Sequence, residues 1–233
     1  MPRPQRLVFL SIGLLSIGWF AASAEAITRG QRNWFFDGLS HGWESPTGPA
    51  SVQYGDGDGH PLDHYITYTS TGGNDLSGRL LFRNSTEWVG DYNLGGSPLY
   101  ISAQYMGPDQ VDLYLTITSG DTTFAVSQFL FTPLSSGYWT AGEMYFPLGE
   151  FDIDTIVKLA GDASLADVVS QVTETRLIAS TSLPVMSVDG PVGDLVSGTL
   201  RVSELRFLPI PEPGSATLLF LAIGASAARR PRR

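Results

Sequence analysis

Leu99, Ile101, Ala103 and Tyr105 alternate with Tyr100, Ser102 and Gln104, and Val111, Leu113, Leu115 and Ile117 alternate with Asp112, Tyr114, Thr116 and Thr118. A period of two is what a strand with one buried face requires. Residues 65–69, 124–131, 145–146, 177–179 and 200–208 add further runs rich in β-branched, aromatic and aliphatic side chains. Breaks rich in glycine or proline separate them, among them Gly72-Gly73-Asn74-Asp75, Gly107-Pro108-Asp109 and Ser119-Gly120-Asp121. Many short strands without a βα repeat predict an all-β fold, an antiparallel β-sandwich. One short helix is predicted near residues 164–173. Ser164 is its cap, Asp167 stands at the third position, and Leu165, Val168, Val169 and Val172 share a face that would pack across an open end of the sandwich. The chain contains no repeat of 20–50 residues, and Gly190-Pro191-Val192-Gly193-Asp194 reads as a loop within the domain.

The two ends break this pattern. Residues 1–26 read as a secretory signal peptide: Arg3 and Arg6 are followed by an apolar stretch over 7–22, then by small residues at Ala22-Ser23-Ala24 and Ala24-Glu25-Ala26. Residues 209–233 carry Pro211-Glu212-Pro213, an apolar run over 216–228 and the cluster Arg229, Arg230, Arg232 and Arg233. As a helix that run would cover roughly 20 Å, short of the roughly 30 Å of bilayer hydrocarbon. It suits a transmembrane segment that pauses in a membrane with its arginines on the cytoplasmic side, and is then cut away. The remaining body, 27–208, has the length of one β-sandwich domain.

Charge narrows the partners. Of the 14 basic residues, two precede the body and four follow it; of the 23 acidic residues, only Glu25 and Glu212 lie outside. The body therefore carries eight basic and 21 acidic side chains, a net charge near −13. Such a surface repels phosphate backbones and speaks against nucleic-acid binding; it suits solubility outside the cell or the binding of divalent cations. There is no cysteine, so disulfides, thiolate metal sites and cysteine nucleophiles are excluded.

The Pro-Glu-Pro, the short apolar run and the terminal arginines, in that order, resemble the PEP-CTERM sorting signal of exported bacterial proteins. The resemblance implies processing by an exosortase-type protease, transient anchoring in the inner membrane, and a final place in the cell envelope, at the cell surface or in the extracellular matrix. Its signal residues here are Pro211, Glu212, Pro213, Arg229, Arg230, Arg232 and Arg233. A second resemblance runs through the body. Phe36-Asp37-Gly38 with Gly42-Trp43, Gly59-His60-Pro61 leading into Tyr65-Ile66, and Trp88-Val89-Gly90-Asp91 before Gly95-Gly96 and Leu99-Tyr100-Ile101 follow the order of laminin IV (laminin B) domains. Trp139 and the helix feeding the strand at 176–179 continue that order. This implies a galactose-binding-like, antiparallel jelly-roll-like β-sandwich of the kind found in carbohydrate-binding modules. The closing Ser203-Glu204-Leu205-Arg206-Phe207 departs from the family, and no binding residue is carried over.

Candidate chemistry in the body is sparse, and no catalytic, cofactor-binding or metal-ligating residue is assigned. Gly38-Leu39-Ser40-His41-Gly42 has the spelling of a nucleophile elbow, but the Gly-, Pro- and Ser-rich residues after it do not suit the helix an elbow needs. Asp56-Gly57-Asp58-Gly59 fails the EF-hand spacing; it reads as a turn, or as carboxylates for a structural calcium ion whose binding would raise the melting temperature. His60, Asp63 and His64 read as a solvated cluster or as metal ligands. Asn84-Ser85-Thr86 is a glycosylation sequon by spelling. Trp34, Trp43, Trp88, Tyr92, Tyr138, Trp139 and Tyr145 are either core or a sugar-stacking platform. Three functions fit: a non-enzymatic surface or matrix protein that binds glycan, including exopolysaccharide, or a surface partner; a purely structural envelope component; and an enzyme acting on extracellular polysaccharide. Exposed aromatics on one sheet face favour the first, and two carboxyl groups about 5–10 Å apart in a cleft favour the last.

Overall fold

The computed structural model describes residues 27–28, 31–55, 64–95, 98–132, 138–146 and 156–208. The signal-peptide and sorting segments lie outside them. The chain opens with β1 (Arg32–Asn33), β2 (Trp43–Ser45), β3 (Gly48–Pro49) and β4 (Ser51–Tyr54). There follow β5 (His64–Thr71), β6 (Leu80–Asn84), a single helical turn α1 (Tyr92–Gly95), β7 (Leu99–Met106), β8 (Val111–Ser119), β9 (Thr122–Phe131) and β10 (Thr140–Phe146). Next come β11 (Ile156–Ala160), α2 (Leu165–Ser170), β12 (Glu174–Ser180), β13 (Val185–Ser187), β14 (Gly190–Val192) and β15 (Ser197–Phe207).

Among the described residues these strands form two large antiparallel sheets. The first runs β10-β7-β15-β5-β4, with β1 pairing the far end of β15, and the second runs β11-β9-β8-β12-β6-β2-β3. They pack face to face as a sandwich. Leu99, Ile101, Ala103 and Tyr105 of β7 meet Val111, Leu113, Leu115 and Ile117 of β8 in one apolar core, as their alternation predicts. Phe35, Trp43, Trp88, Tyr92 and Phe207 close one end of that core, with Trp88 stacked on Phe207 at 5.4 Å and Tyr92 edge-on to it at 5.1 Å.

β15 breaks the alternation, and the break positions the candidate site. Leu200 and Val202 point inward, but so do Leu205 and Phe207. A register shift against β7 between Val202 and Glu204 inserts one extra residue, Ser203. Without this bulge strict alternation would bury Glu204 and Arg206; with it they stand on the outer face alongside Arg201.

The predicted helix forms as α2. Ser164 Oγ accepts from the Asp167 amide at 3.2 Å, and Asp167 Oδ2 accepts from the Ser164 amide at 3.2 Å, a complete capping box. Val168, Val169 and Val172 are buried in the main core. α2 packs against α1 and against the β8–β9 hairpin, at the end of the sandwich. Gly90 and Val172 exchange amide–carbonyl bonds at 2.7 and 2.9 Å, tying the two helical segments together. The stretch expected as a loop at 190–194 supplies β14 instead, which pairs with β13 in a small hairpin. Among the described residues, no helix is long and apolar enough to cross a membrane.

Candidate binding face

The outer faces of the two sheets differ. That of the second sheet is partly roofed by the β13–β14 hairpin: Val192 packs on Leu81, Tyr114 and Ile178. Arg176, buried beneath the hairpin, donates to the Pro191 carbonyl at 2.9 Å and to the Asp189 carbonyl, and pairs with Glu174 at 2.6 Å. A small cleft of about 110 Å³ remains beside it, also lined by Arg83, whose guanidinium is taken by Glu44. Charge on this side is matched by neighbouring carboxylates and carbonyls.

The outer face of the first sheet has no such roof among the described residues. Register sets its side chains in rows across the strands. Tyr145, Tyr100, Arg206 and Arg32 form one row, Glu143, Ser102 and Glu204 a second, and Ala141, Gln104, Arg201 and Thr67 a third. Aromatic rings and guanidinium groups stack along it. The Arg32 guanidinium lies 3.1 Å from the centre of the Trp34 ring, Arg206 lies 4.5 Å from Tyr100, and Tyr100 meets Tyr145 edge-on at 5.2 Å. Arg201 lies 3.7 Å from Trp139 and 4.3 Å from Tyr65. Cation–π contacts of this kind contribute about 0.5–1 kcal/mol or more each, rising as the pair is desolvated, so together they hold the face in one arrangement.

Glu204 is the hub of the first two rows. Its Oε1 accepts from Trp34 Nε1 at 2.8 Å and faces Arg32 Nη2 at 2.6 Å and Arg206 Nε at 3.5 Å. The Tyr100 hydroxyl is pushed up to about 12, first by burial and then by its bond to Glu143 and the charges of Glu143 and Glu204, so it stays a neutral donor. At the rim, Trp34 meets Phe36 at 5.4 Å, Phe36 meets His64 at 4.9 Å and His64 meets Tyr54 at 4.5 Å. Phe36 is 52% exposed and Tyr54 69%. Flat aromatic surface beside fixed hydrogen-bonding groups matches the two sides of a sugar ring, apolar C–H above and hydroxyls around the edge.

The aromatics singled out in the sequence divide between the two readings. Trp43, Trp88 and Tyr92 are core, Trp34, Tyr138 and Tyr145 are exposed, and Trp139 is half-buried against Arg201. Tyr65 and Tyr100 also belong to this side of the sheet, buried against the guanidinium groups of Arg201 and Arg206. Their parity on β5 and β7 was the available signal. Around Ser40 there is neither strand before nor helix after: Gly38, His41 and Gly42 have φ of 75°, 50° and 72°, and β2 follows directly. His41 sets Nε2 3.1 Å from Asp37 and Nδ1 3.4 Å from Glu87, so both ring nitrogens face carboxylates rather than Ser40. Asn84 of the sequon is fully buried. His64 is stacked on the rim, while His60, Asp63, Asp56 and Asp58 lie outside the described residues, as do Pro211, Glu212, Pro213 and the four terminal arginines. Among the described residues, no group of three or more histidines and carboxylates is arranged to hold a metal ion.

No family model matches this chain, and no curated protein matches it.

Proposed function

We propose that this chain is an exported, non-enzymatic protein of the cell surface or extracellular matrix, whose sandwich binds glycan through the outer face of its first sheet. The observation that carries the reading is the set of aromatic–arginine stacks on that face, centred on Arg201 between Tyr65 and Trp139. Strands that pass from sheet to sheet, as β5 to β6 to β7 to β8 do, support a jelly-roll-like topology akin to carbohydrate-binding and laminin B-like domains. Export rests on the signal-peptide pattern at 1–26. Release from transient inner-membrane anchoring by an exosortase-type protease rests on the Pro-Glu-Pro, apolar and arginine segments at 209–233. The test is a glycan array probed with the full chain, together with the extracellular polysaccharide of the exporting cells. Trp139→Ala and Trp34→Ala should each weaken the binding at least tenfold. Absence of any bound glycan, or binding indifferent to both substitutions, refutes the reading.

A second reading, cleavage of extracellular polysaccharide, draws on one juxtaposition. Glu143 and Glu204 flank Ser102 in the same row, two strand spacings apart, which is roughly 10 Å between backbones. Glu204 already faces three donors through one oxygen, an arrangement that suits an anchor better than a nucleophile or proton donor. Release of reducing ends by the wild type, lost in Glu143→Gln, would favour the enzyme.

A further inference from the structure

Of the three arginines on the open face, Arg32 and Arg206 share Glu204. Arg201 is different. Among the described residues it has no carboxylate partner, and its surroundings are the rings of Tyr65 and Trp139. Its Nε, like that of Arg206, is sealed from water without a hydrogen-bond partner. The guanidinium is therefore positioned by the two rings rather than by an ion pair with a described residue.

We propose that Arg201 is the receptor for the carboxylate of an acidic polysaccharide, a polyuronate, laid across the outer face of the first sheet. The proposal rests on the glycan reading above and narrows it to a ligand class. A guanidinium is a planar fork whose N–H groups match the two oxygens of a carboxylate. Stacking against the rings fixes that plane in advance, so little side-chain freedom is lost when the ligand arrives. A uronate sugar presents a C–H face and, one bond away from the ring, a carboxylate. The half-buried Trp139 suits the first and Arg201 the second, while Tyr65, itself buried, backs the guanidinium. Thr67 and Gln104 stand directly opposite Arg201 in register, one on each neighbouring strand, and fix its place in the middle of the sheet. The charge of the site runs against that of the body: near −13 over residues 27–208, yet positive at this position. Simple electrostatic attraction would not bring a polyanion to this protein, so a fixed, stacked cation is what the encounter needs.

The experiment titrates the full chain with polygalacturonate, with the same polymer after chemical reduction of its carboxyl groups, and with dextran, reading affinity by calorimetry. Polygalacturonate should bind, and carboxyl reduction should weaken it at least tenfold. Arg201→Gln should abolish the preference. Arg201→Lys keeps the charge but loses the fork, and should weaken binding about tenfold. The comparison of native and reduced polymer on the wild-type protein needs no variant, so a folding defect at position 201 cannot hide the answer. Equal affinity for native and reduced polymer overturns the carboxylate role and leaves glycan binding standing. A preference that survives in Arg201→Gln overturns the role of Arg201 alone. If neither these polymers nor any arrayed glycan binds, both readings fall. A concentration-dependent dimer broken by Arg201→Gln would give the face to a second copy of this chain and would also overturn the proposal.

Discussion

Asn84 Nδ2 donates to the main-chain carbonyl of His41 at 2.8 Å, across 43 positions of sequence. The same side chain accepts, through Oδ1, from the amides of Thr86, Glu87 and Trp88 at 3.1, 3.0 and 3.0 Å. One buried amide thus holds the left-handed turn at His41 against the segment that leads into Trp88, and both ends of that connection feed the aromatic end of the core. The nitrogen that the sequon spelling offers is enclosed and already bonded.

Asn84→Ala should therefore lower stability by about 3 kcal/mol, because three amides and a carbonyl lose their partner, the Trp88 amide in a buried place and the others in part-buried ones. Ser85→Ala, at the exposed neighbouring position, should stay within about 0.5 kcal/mol. Urea denaturation of the two variants decides it. Equal midpoints would show that the Asn84 network does not hold the turn.

Acid should weaken the fold through Asp194. Its carboxyl is held below the usual aspartate value, first by the Thr181 hydroxyl and then, against some burial, by Ser182 and Ser180. A carboxylate lowered in the folded state adds stability fully above its unfolded value, near 3.9, and that stability drains away as pH falls through the folded value. Asp112, raised by burial, acts in the opposite sense, since the folded state takes up its proton first. Melting temperatures measured from pH 6 to pH 2 should fall less steeply for Asp194→Asn than for wild type. Parallel curves would remove Asp194 from the acid response.

The roof over the second sheet depends on Gly190. Its φ is +96°, and a Cβ there would land on the Arg176 guanidinium. Gly190→Ala should cost about 2–3 kcal/mol, from backbone strain and the broken Arg176 bonds, and should speed amide exchange through β13 and β14. Val188→Ala, in the same turn and fully exposed, should leave both unchanged. Unaltered exchange in Gly190→Ala would show that the hairpin is not held through Arg176.

The sorting reading of the tail makes a prediction of its own. Mass spectrometry of the exported wild-type protein should find a C-terminus near Pro211-Glu212-Pro213, and Ala-Ala-Ala at those positions should leave the full-length chain in the membrane. Serine at all four terminal arginine positions should let the tail slip through or misorient. Recovery outside the cell of wild-type chains ending at Arg233 would sink the reading.

The sequence by itself determined the elements whose pattern is local. The alternation in β7 and β8 set which side chains face the core, since a strand turns successive residues to opposite sides. Ser164 and Asp167 determined where α2 begins, because a capping box needs only residues three apart. Tertiary structure decided the rest. The strands before residue 55, together with β11, β13 and β14, are too short to show a period, and they exist because a longer neighbour, or in the β13–β14 hairpin each other, satisfies their backbone groups. The bulge at Ser203 has no local signature; it arises where β15 must bury both Val202 and Leu205 against the same core. That single extra residue turns Glu204 and Arg206 outward. The stack of Arg201 with Tyr65 and Trp139 joins residues from three distant parts of the chain. No spacing in the sequence could announce that meeting, because strand order, rather than distance along the chain, brings those side chains to one face.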